Sequence, residues 1–162
     1  MMKVYSILAV PLICCFNLSA ADFSIKENPG KNIEISYKGK TMLRFMSERD
    51  ASNKQKDHET YKVYAHIIDP LDPQGKRLIT KGAGGQFTHH RGIFIGFKVK
   101  SAKSNADLWH MTGAARNNFK KIISQNVSDD KAQLTLEIDW LDGETVVLKE
   151  ERTFVISAPQ AN

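Results

Sequence analysis

Cysteine is nearly absent from this chain of 162 residues: its two cysteines are adjacent, at Cys14 and Cys15. After residue 21 the sequence also lacks an apolar run of about twenty residues, the length that a membrane-spanning helix needs. Residues 1–21 combine an early lysine, a short apolar stretch and small residues before Asp22, a pattern typical of a secretory signal peptide. We therefore expect residues 1–21 to be cleaved and the protein to be periplasmic or secreted. A mature chain without cysteine excludes disulfides, thiolate nucleophiles and cysteine-bound zinc.

Charge of one sign is not concentrated anywhere in the sequence. Lysine and arginine number 23 against 18 acidic residues, a formal charge of +5, and the basic residues are scattered. Because phosphate backbones are bound by concentrated basic faces, we expect no nucleic-acid partner. The length and the ordinary globular composition predict a single domain over residues 22–162.

Helical periodicity is also lacking, whereas a period of two recurs along the chain. Residues 33–45 alternate around Gly39 as in a hairpin, and residues 132–140 alternate apolar and polar side chains as in a half-buried strand. An Asp-Gly pair at 142–143 predicts a turn before a strand at 145–156. The polar stretch 47–60 is predicted to be a surface loop. Further strands are expected at 61–68, 76–80, 93–99 and 121–127, so the sequence predicts an all-β, antiparallel β-sandwich.

The densest candidate site is the glycine-rich block 82–92, which ends in His89, His90, Arg91 and Gly92. Two imidazoles and a guanidinium at the start of a strand suit acid–base catalysis and substrate binding. Neighbouring residues on a regular strand point to opposite faces, so the two histidines share a ligand only where the backbone turns or bulges. The alternative is one core histidine, one exposed histidine and a surface arginine. The block is not a phosphate loop, because Lys-Ser/Thr does not follow the last glycine.

A second candidate is the run Asp107, Leu108, Trp109 and His110. On a strand, Asp107 and Trp109 would share a face and place an aromatic platform beside a carboxylate. Carbohydrate sites use this combination, since a sugar has an apolar face for stacking and hydroxyls for polar groups. The alternative is a core tryptophan with Asp107 capping a loop.

A third candidate is Tyr64 and His66, which share one face of a predicted strand. The chain has five histidines in all, so a three-histidine metal centre is an alternative to consider. No closely spaced histidine pair supports that alternative, and we predict no metal and no cofactor.

The strand at 145–156 carries two charged residues on its apolar face. Glu150 and Arg152 are two positions apart and interrupt a stripe of valine, leucine, phenylalanine and isoleucine. Because an unpaired buried charge is costly, we predict a partly buried ion pair between them. The alternative is that both face a ligand.

The block 84–97, the run 107–110, Trp140 and the segment 150–153 together resemble the DUF6807 family, whose members carry the label methane oxygenase PmoA. The label implies membrane spans that this sequence lacks, so we do not adopt it as a function. The resemblance implies instead a secreted β-sandwich of bacteria that degrade polysaccharides, part of a larger galactose-mutarotase-like supersandwich. Members of the family are nearly twice as long, so we expect this chain to be incomplete at its C-terminus.

The sequence therefore predicts a carbohydrate-processing or carbohydrate-binding protein whose ligand is a small molecule or an oligosaccharide. An enzyme of this kind would resemble a mutarotase or epimerase and use histidine as acid and base. One alternative is a non-catalytic envelope or glycan-binding module; another is a metal-dependent oxygenase or hydrolase. The candidate catalytic residues are His89, His90 and His110, and the candidate substrate-binding residues are Arg91, Asp107, Trp109, Tyr64 and His66.

Overall fold

The protein is represented by a computed structural model that describes residues 21–102 and 104–158. Apart from Ala21, the expected signal peptide lies outside the described residues. Strands and one helix follow in the order β1 (Phe23–Asn28), β2 (Asn32–Tyr37), β3 (Lys40–Met46), α1 (Lys54–Thr60), β4 (Tyr64–Ile67), β5 (Lys98–Lys100), β6 (Asn105–Asp107), β7 (Ala115–Val127), β8 (Lys131–Asp142) and β9 (Thr145–Ser157).

The strands form antiparallel sheets in the orders β1-β2-β3-β4, β5-β6 and β7-β8-β9. The predicted hairpin at 33–45 is confirmed as β2 and β3, with Tyr37 opposite Lys40. Gly39 lies in the turn at φ 76°, a left-handed conformation that glycine adopts without steric cost.

The alternating strand predicted at 132–140 is confirmed as the middle of β8. Its apolar side chains are fully buried while the intervening positions are mostly half-buried, as expected for a strand between a core and solvent. The Asp-Gly turn and the returning strand are also confirmed, since Asp142 pairs with Thr145 across Gly143 at φ 61°.

One hydrophobic core joins the two larger sheets. The Phe45 ring of β3 lies 6.1 Å from the Phe119 ring of β7 and 5.8 Å from the Phe154 ring of β9, measured between centroids. The same buried cluster includes Ile33 and Ile35 of β2 together with the apolar face of β8. The antiparallel all-β prediction is therefore confirmed, and the sheets pack face to face around one core as in a sandwich.

The prediction that 47–60 is only a loop was wrong, because α1 occupies its second half. The Asn53 side chain caps this helix by accepting a hydrogen bond from the Lys56 amide at 3.0 Å. The helix buries none of its residues, so it carries no apolar periodicity that a sequence pattern could reveal. Among the residues that the structure describes, no helix is long and apolar enough to cross a membrane.

Two other strand predictions were largely wrong. At 76–80 the ladder is a single bridge between Ile68 and Leu78, and at 93–99 it is a bridge between Ala65 and Ile93 followed by the short strand β5. Residues 76–80 run instead as irregular chain beside the end of β4, and residues 94–97 are irregular between the Ile93 bridge and β5. The strand predicted at 121–127 exists but begins earlier, at Ala115.

The predicted ion pair on β9 is confirmed. Arg152 Nε donates to Glu150 Oε1 at 2.7 Å, and the two side chains are 7% and 13% exposed. The Trp140 indole also donates to Glu150, at 2.7 Å, and the Phe97 ring stacks on Trp140 at 4.8 Å. The Glu150 carboxylate therefore connects β8 to β9, and Trp140 is fully buried in the core.

Candidate functional site

The two adjacent histidines lie on a turn and not on a regular strand. The His90 amide donates to the Phe87 carbonyl at 3.1 Å, which closes the turn. As a result, the His89 and His90 rings are neighbours, with centroids 4.2 Å apart. The backbone turns here, as the two histidines require if they are to share a ligand.

Asp107 organises a second turn. Its Oδ1 accepts hydrogen bonds from the amides of Trp109 and His110 at 3.1 and 2.9 Å, and its carbonyl accepts from Met111 at 2.8 Å. The chain therefore leaves β6 at Asp107, and the strand parity assumed for residues 107–110 was wrong. Trp109 is 38% exposed, so the alternative of a core tryptophan is wrong as well, whereas Asp107 does cap the loop.

The two turns meet and place aromatic rings side by side. The His89 ring lies 4.5 Å from that of His110, and the His90 ring lies 6.0 Å from Trp109. Phe94 packs against Trp109 at 5.2 Å. We call this group the histidine–tryptophan surface; its members are Phe87, His89, His90, Phe94, Trp109 and His110.

Asp107 also orients the imidazole of His110. Its Oδ2 lies 2.8 Å from His110 Nδ1, and Lys98 Nζ approaches the same oxygen at 3.5 Å. Hydrogen bonds from the His110 amide and then from its imidazole hold the pKa of the Asp107 carboxyl well below its usual range. The carboxylate therefore stays ionised, and with Nδ1 engaged, Nε2 is the His110 nitrogen left for proton transfer.

The surroundings of His89 disfavour the charged form of its imidazole. Desolvation lowers its pKa, and the neighbouring His90, His110 and Lys62 lower it further. Its imidazole is therefore neutral around pH 7 and able to accept a proton.

Lys62 links the two turns from the interior of the protein. This residue was not identified from the sequence. Its ammonium donates to the carbonyl of His89 at 3.1 Å and to that of Trp109 at 2.6 Å. It also lies 4.0 Å from the centre of the Phe94 ring, a cation–π distance. The side chain is only 1% exposed, and burial lowers its pKa to about 8. Lys62 thus fixes the spacing between the histidine turn and the tryptophan turn.

Arg91 lies inside the protein and holds the histidine turn against α1. It is 1% exposed and donates to the Thr88 carbonyl at 2.9 Å and to the carbonyls of His58 and Glu59. Its guanidinium also lies 4.4 Å from the Tyr61 ring centre. Its expected role in substrate binding stays a prediction, but its contacts in the structure are those of a positioning residue.

Lys81 completes the support of the histidine turn. Its ammonium donates to the carbonyls of Phe87 and His90, at 3.0 Å each, and to that of Gly84. With Lys62 and Arg91, every carbonyl from residue 87 to residue 90 accepts a hydrogen bond from a cationic side chain. Such charge-assisted bonds are stronger than neutral ones, so they explain how an irregular turn keeps a defined shape.

Two glycines let the segment 92–96 approach β4 and the tryptophan turn closely. A Cβ at Gly92, where φ is 42°, would lie well inside contact distance of the Ala65 carbonyl oxygen. A Cβ at Gly96 would lie 3.0 Å from both the Leu108 carbonyl oxygen and Trp109 Cα. Gly92 thus permits the bridge to β4, and Gly96 permits the tryptophan turn to pack close to the histidine segment.

Tyr64 and His66 share a face of β4, as predicted, but both are buried at 5% exposure. Their rings are 4.9 Å apart, and His66 Nδ1 lies 3.2 Å from the Thr80 hydroxyl. The backbone at Gly82 lies next to the His66 ring: a Cβ at this glycine would be 3.6 Å from His66 Cε1. Desolvation raises the pKa of Tyr64 and lowers that of His66. Their part in ligand binding stays a prediction.

Within the part of the chain that the structure describes, no group of three or more histidine, aspartate or glutamate side chains is placed to hold a metal ion. The three neighbouring histidines His89, His90 and His110 are not such a group. The His89 ring contacts the rings of His90 and His110 edge to face, an arrangement that packs the imidazoles as aromatic surface.

A family model described as a family of unknown function, DUF6807, matches residues 32–162, which is more than half of the chain. No curated protein and no solved structure gives a significant match.

Proposed function

The chain belongs to the DUF6807 family, and we propose that it binds a carbohydrate on the histidine–tryptophan surface. The observation that carries this proposal is the exposed indole of Trp109 beside the imidazole of His90, on two turns that the buried Lys62 holds together. A sugar ring stacks its apolar face on an aromatic side chain while its hydroxyls bond to polar neighbours.

The imidazoles also suit proton transfer at a sugar ring. Asp107 stays ionised and so cannot supply a proton, which leaves this chemistry to the histidines. In a mutarotase-like reaction, neutral His89 would take the proton of the anomeric hydroxyl while His110 donates a proton from Nε2 to the ring oxygen. The bond between the anomeric carbon and the ring oxygen then breaks and the carbonyl forms, with atoms and charge balanced.

A non-catalytic glycan-binding module is the second candidate function. Asp107 is the carboxylate nearest the histidine–tryptophan surface, and its oxygens are already taken by two amides, one imidazole and Lys98. A surface whose carboxylate is committed to its own turn favours binding over carboxylate-based bond cleavage. In this case the histidines contribute contact area and hydrogen bonds only.

Substitutions test the proposal and separate the two candidates. Trp109→Ala and His90→Ala should each weaken saccharide binding at least about tenfold, because an aromatic contact and a polar contact are lost. Leu71→Ala is the control, since Leu71 is 82% exposed and lies outside this surface. Unchanged binding in both site variants would contradict the proposal. With a turned-over saccharide in hand, a histidine limb in the pH–rate profile would favour the enzyme, and absence of turnover would favour the binding module.

We also propose export to the periplasm or the medium, on the basis of the signal-like residues 1–21. The intact mass of the protein isolated from its source should then correspond to a chain lacking these residues. A mass that retains them in a soluble cell extract would contradict export.

A further inference from the structure

A pocket of about 470 Å³ adjoins the histidine–tryptophan surface, and His110 belongs to both. One wall comes from the segment that carries α1, and the other from the turn at 112–114 and the first residues of β7. A ligand seated on Trp109 and His110 can therefore extend a substituent into this pocket.

The pocket is lined by more cations than carboxylates. Arg49, Lys54 and Arg116 contribute guanidinium and ammonium groups, against Asp57 alone among the acidic residues. Arg49 is neutralised by Asp57, whose Oδ1 lies 2.6 Å from Arg49 Nε. Lys54 makes no ion pair within the described residues 21–102 and 104–158. Lys54 and Arg116 are thus the two cations of the lining that Asp57 does not neutralise.

Arg116 is the better placed of these two cations. Its side chain is only 15% exposed, whereas its partner Glu144, at 2.9 Å, is 95% exposed and does not line the pocket. An ion pair with a fully solvated carboxylate is weak, because water and salt screen it. A ligand anion inside the pocket would meet the same guanidinium where less water competes, and could bond to it in the two-pronged geometry that arginine favours.

Building on the proposed carbohydrate function, we propose that this pocket binds the carboxylate or sulfate group of an acidic saccharide whose ring lies against Trp109. The shared chemistry is an oxyanion presented next to a sugar ring. Arg116 anchors the anion, Lys54 adds charge at the rim, and His110 lies where ring and anion meet.

The test uses paired oligosaccharides and follows binding by calorimetry. Each pair has one backbone in two forms: a uronate against its neutral sugar, and a sulfated sugar against its unsulfated form, for the glucose, galactose and mannose series. Inorganic sulfate is the probe for the anion alone. We expect the acidic member of the recognised series to bind at least about tenfold more tightly, as one charge-assisted hydrogen bond predicts. Uronates and sulfated sugars distinguish the two sources of charge.

Variants assign that preference to the pocket. Arg116→Met should reduce the acidic preference to about threefold or less, and Lys54→Met should reduce it by a smaller factor. Lys54 is exposed, so its variant tests the proposal even where Arg116→Met fails to fold. Lys26→Met, on the exposed side of β1, is the matched control and should keep the full preference.

Failure of this inference is distinguishable from failure of the proposed function. Equal binding of acidic and neutral sugars, lost in Trp109→Ala, would overturn the anion pocket and keep the carbohydrate surface. Binding of inorganic sulfate as tight as that of the acidic sugars, unaffected by Trp109→Ala, would keep the pocket and overturn the carbohydrate surface. Binding of no probe would overturn both.

Discussion

Arg91→Lys keeps the positive charge of this buried residue and removes the planar guanidinium that spans two segments. Arg91 donates three hydrogen bonds, to carbonyls of residues 58, 59 and 88, and stacks on Tyr61. A lysine ammonium at this position can keep about one of the three bonds. Each bond to a charged donor contributes about 1.5 kcal/mol or more, so the loss should be about 3 kcal/mol. For a domain of this size, the melting temperature should fall by about 10 °C.

The assay is denaturant unfolding followed by circular dichroism, with Arg77→Lys as the control. Arg77 makes an ion pair with Asp69, but its side chain is 69% exposed, so the same exchange should change the free energy of unfolding little. An Arg91→Lys protein that unfolds at the wild-type denaturant concentration would refute the argument that Arg91 holds the histidine turn against α1.

Gly92→Ala should cost several kcal/mol and leave little folded protein, because its Cβ would overlap a β4 carbonyl; Gly113→Ala, also at positive φ but in open space, should cost only about 1 kcal/mol. Equal effects on thermal unfolding would contradict this steric argument. Asp107→Asn should lower turnover at least about a hundredfold while changing saccharide affinity little, because His110 loses its orienting acceptor; matched losses in kcat/KM and affinity would contradict it. Because the pKa of His89 is lowered, the acid limb of the turnover profile, where this base becomes protonated, should lie below about pH 6.5; an acid limb well above that value would contradict it.

Much of the framework was predictable from the period-two pattern, because its strands each have one buried face. The hairpin across Gly39 and the strand at 132–140 carry that signal directly, and Glu150 and Arg152 stood out as charges on an apolar stripe. The helix α1 was not predictable in this way, since it packs none of its residues into the core.

The members of the candidate site were partly predictable, but their arrangement was not. The histidine pair and the tryptophan run are visible as clusters of functional side chains, yet the contact between them depends on long-range packing. Lys62 is the clearest omission. It directly precedes residues 63–66, which are all buried, and a lysine in such a position is a signal for a buried cation. Its acceptors, however, are backbone carbonyls, which no side-chain motif reveals.

The glycines show the same limit of sequence reasoning. The block 82–85 drew attention because three glycines lie close together, but the close approaches that shape the site occur at Gly92 and Gly96. Which glycine has a neighbour within contact distance depends on segments far away in sequence, here β4 and the tryptophan turn.

The central claim is that a saccharide ring lies against Trp109, and the indole N–H signals of the two tryptophans test it most directly. Trp109 is 38% exposed, whereas Trp140 is buried and its N–H is bonded to Glu150. In a ¹H–¹⁵N correlation spectrum, assigned with Trp109→Phe, titration with the saccharides should move the Trp109 signal and leave that of Trp140 in place. Saturable binding that leaves the Trp109 signal unmoved would contradict the account.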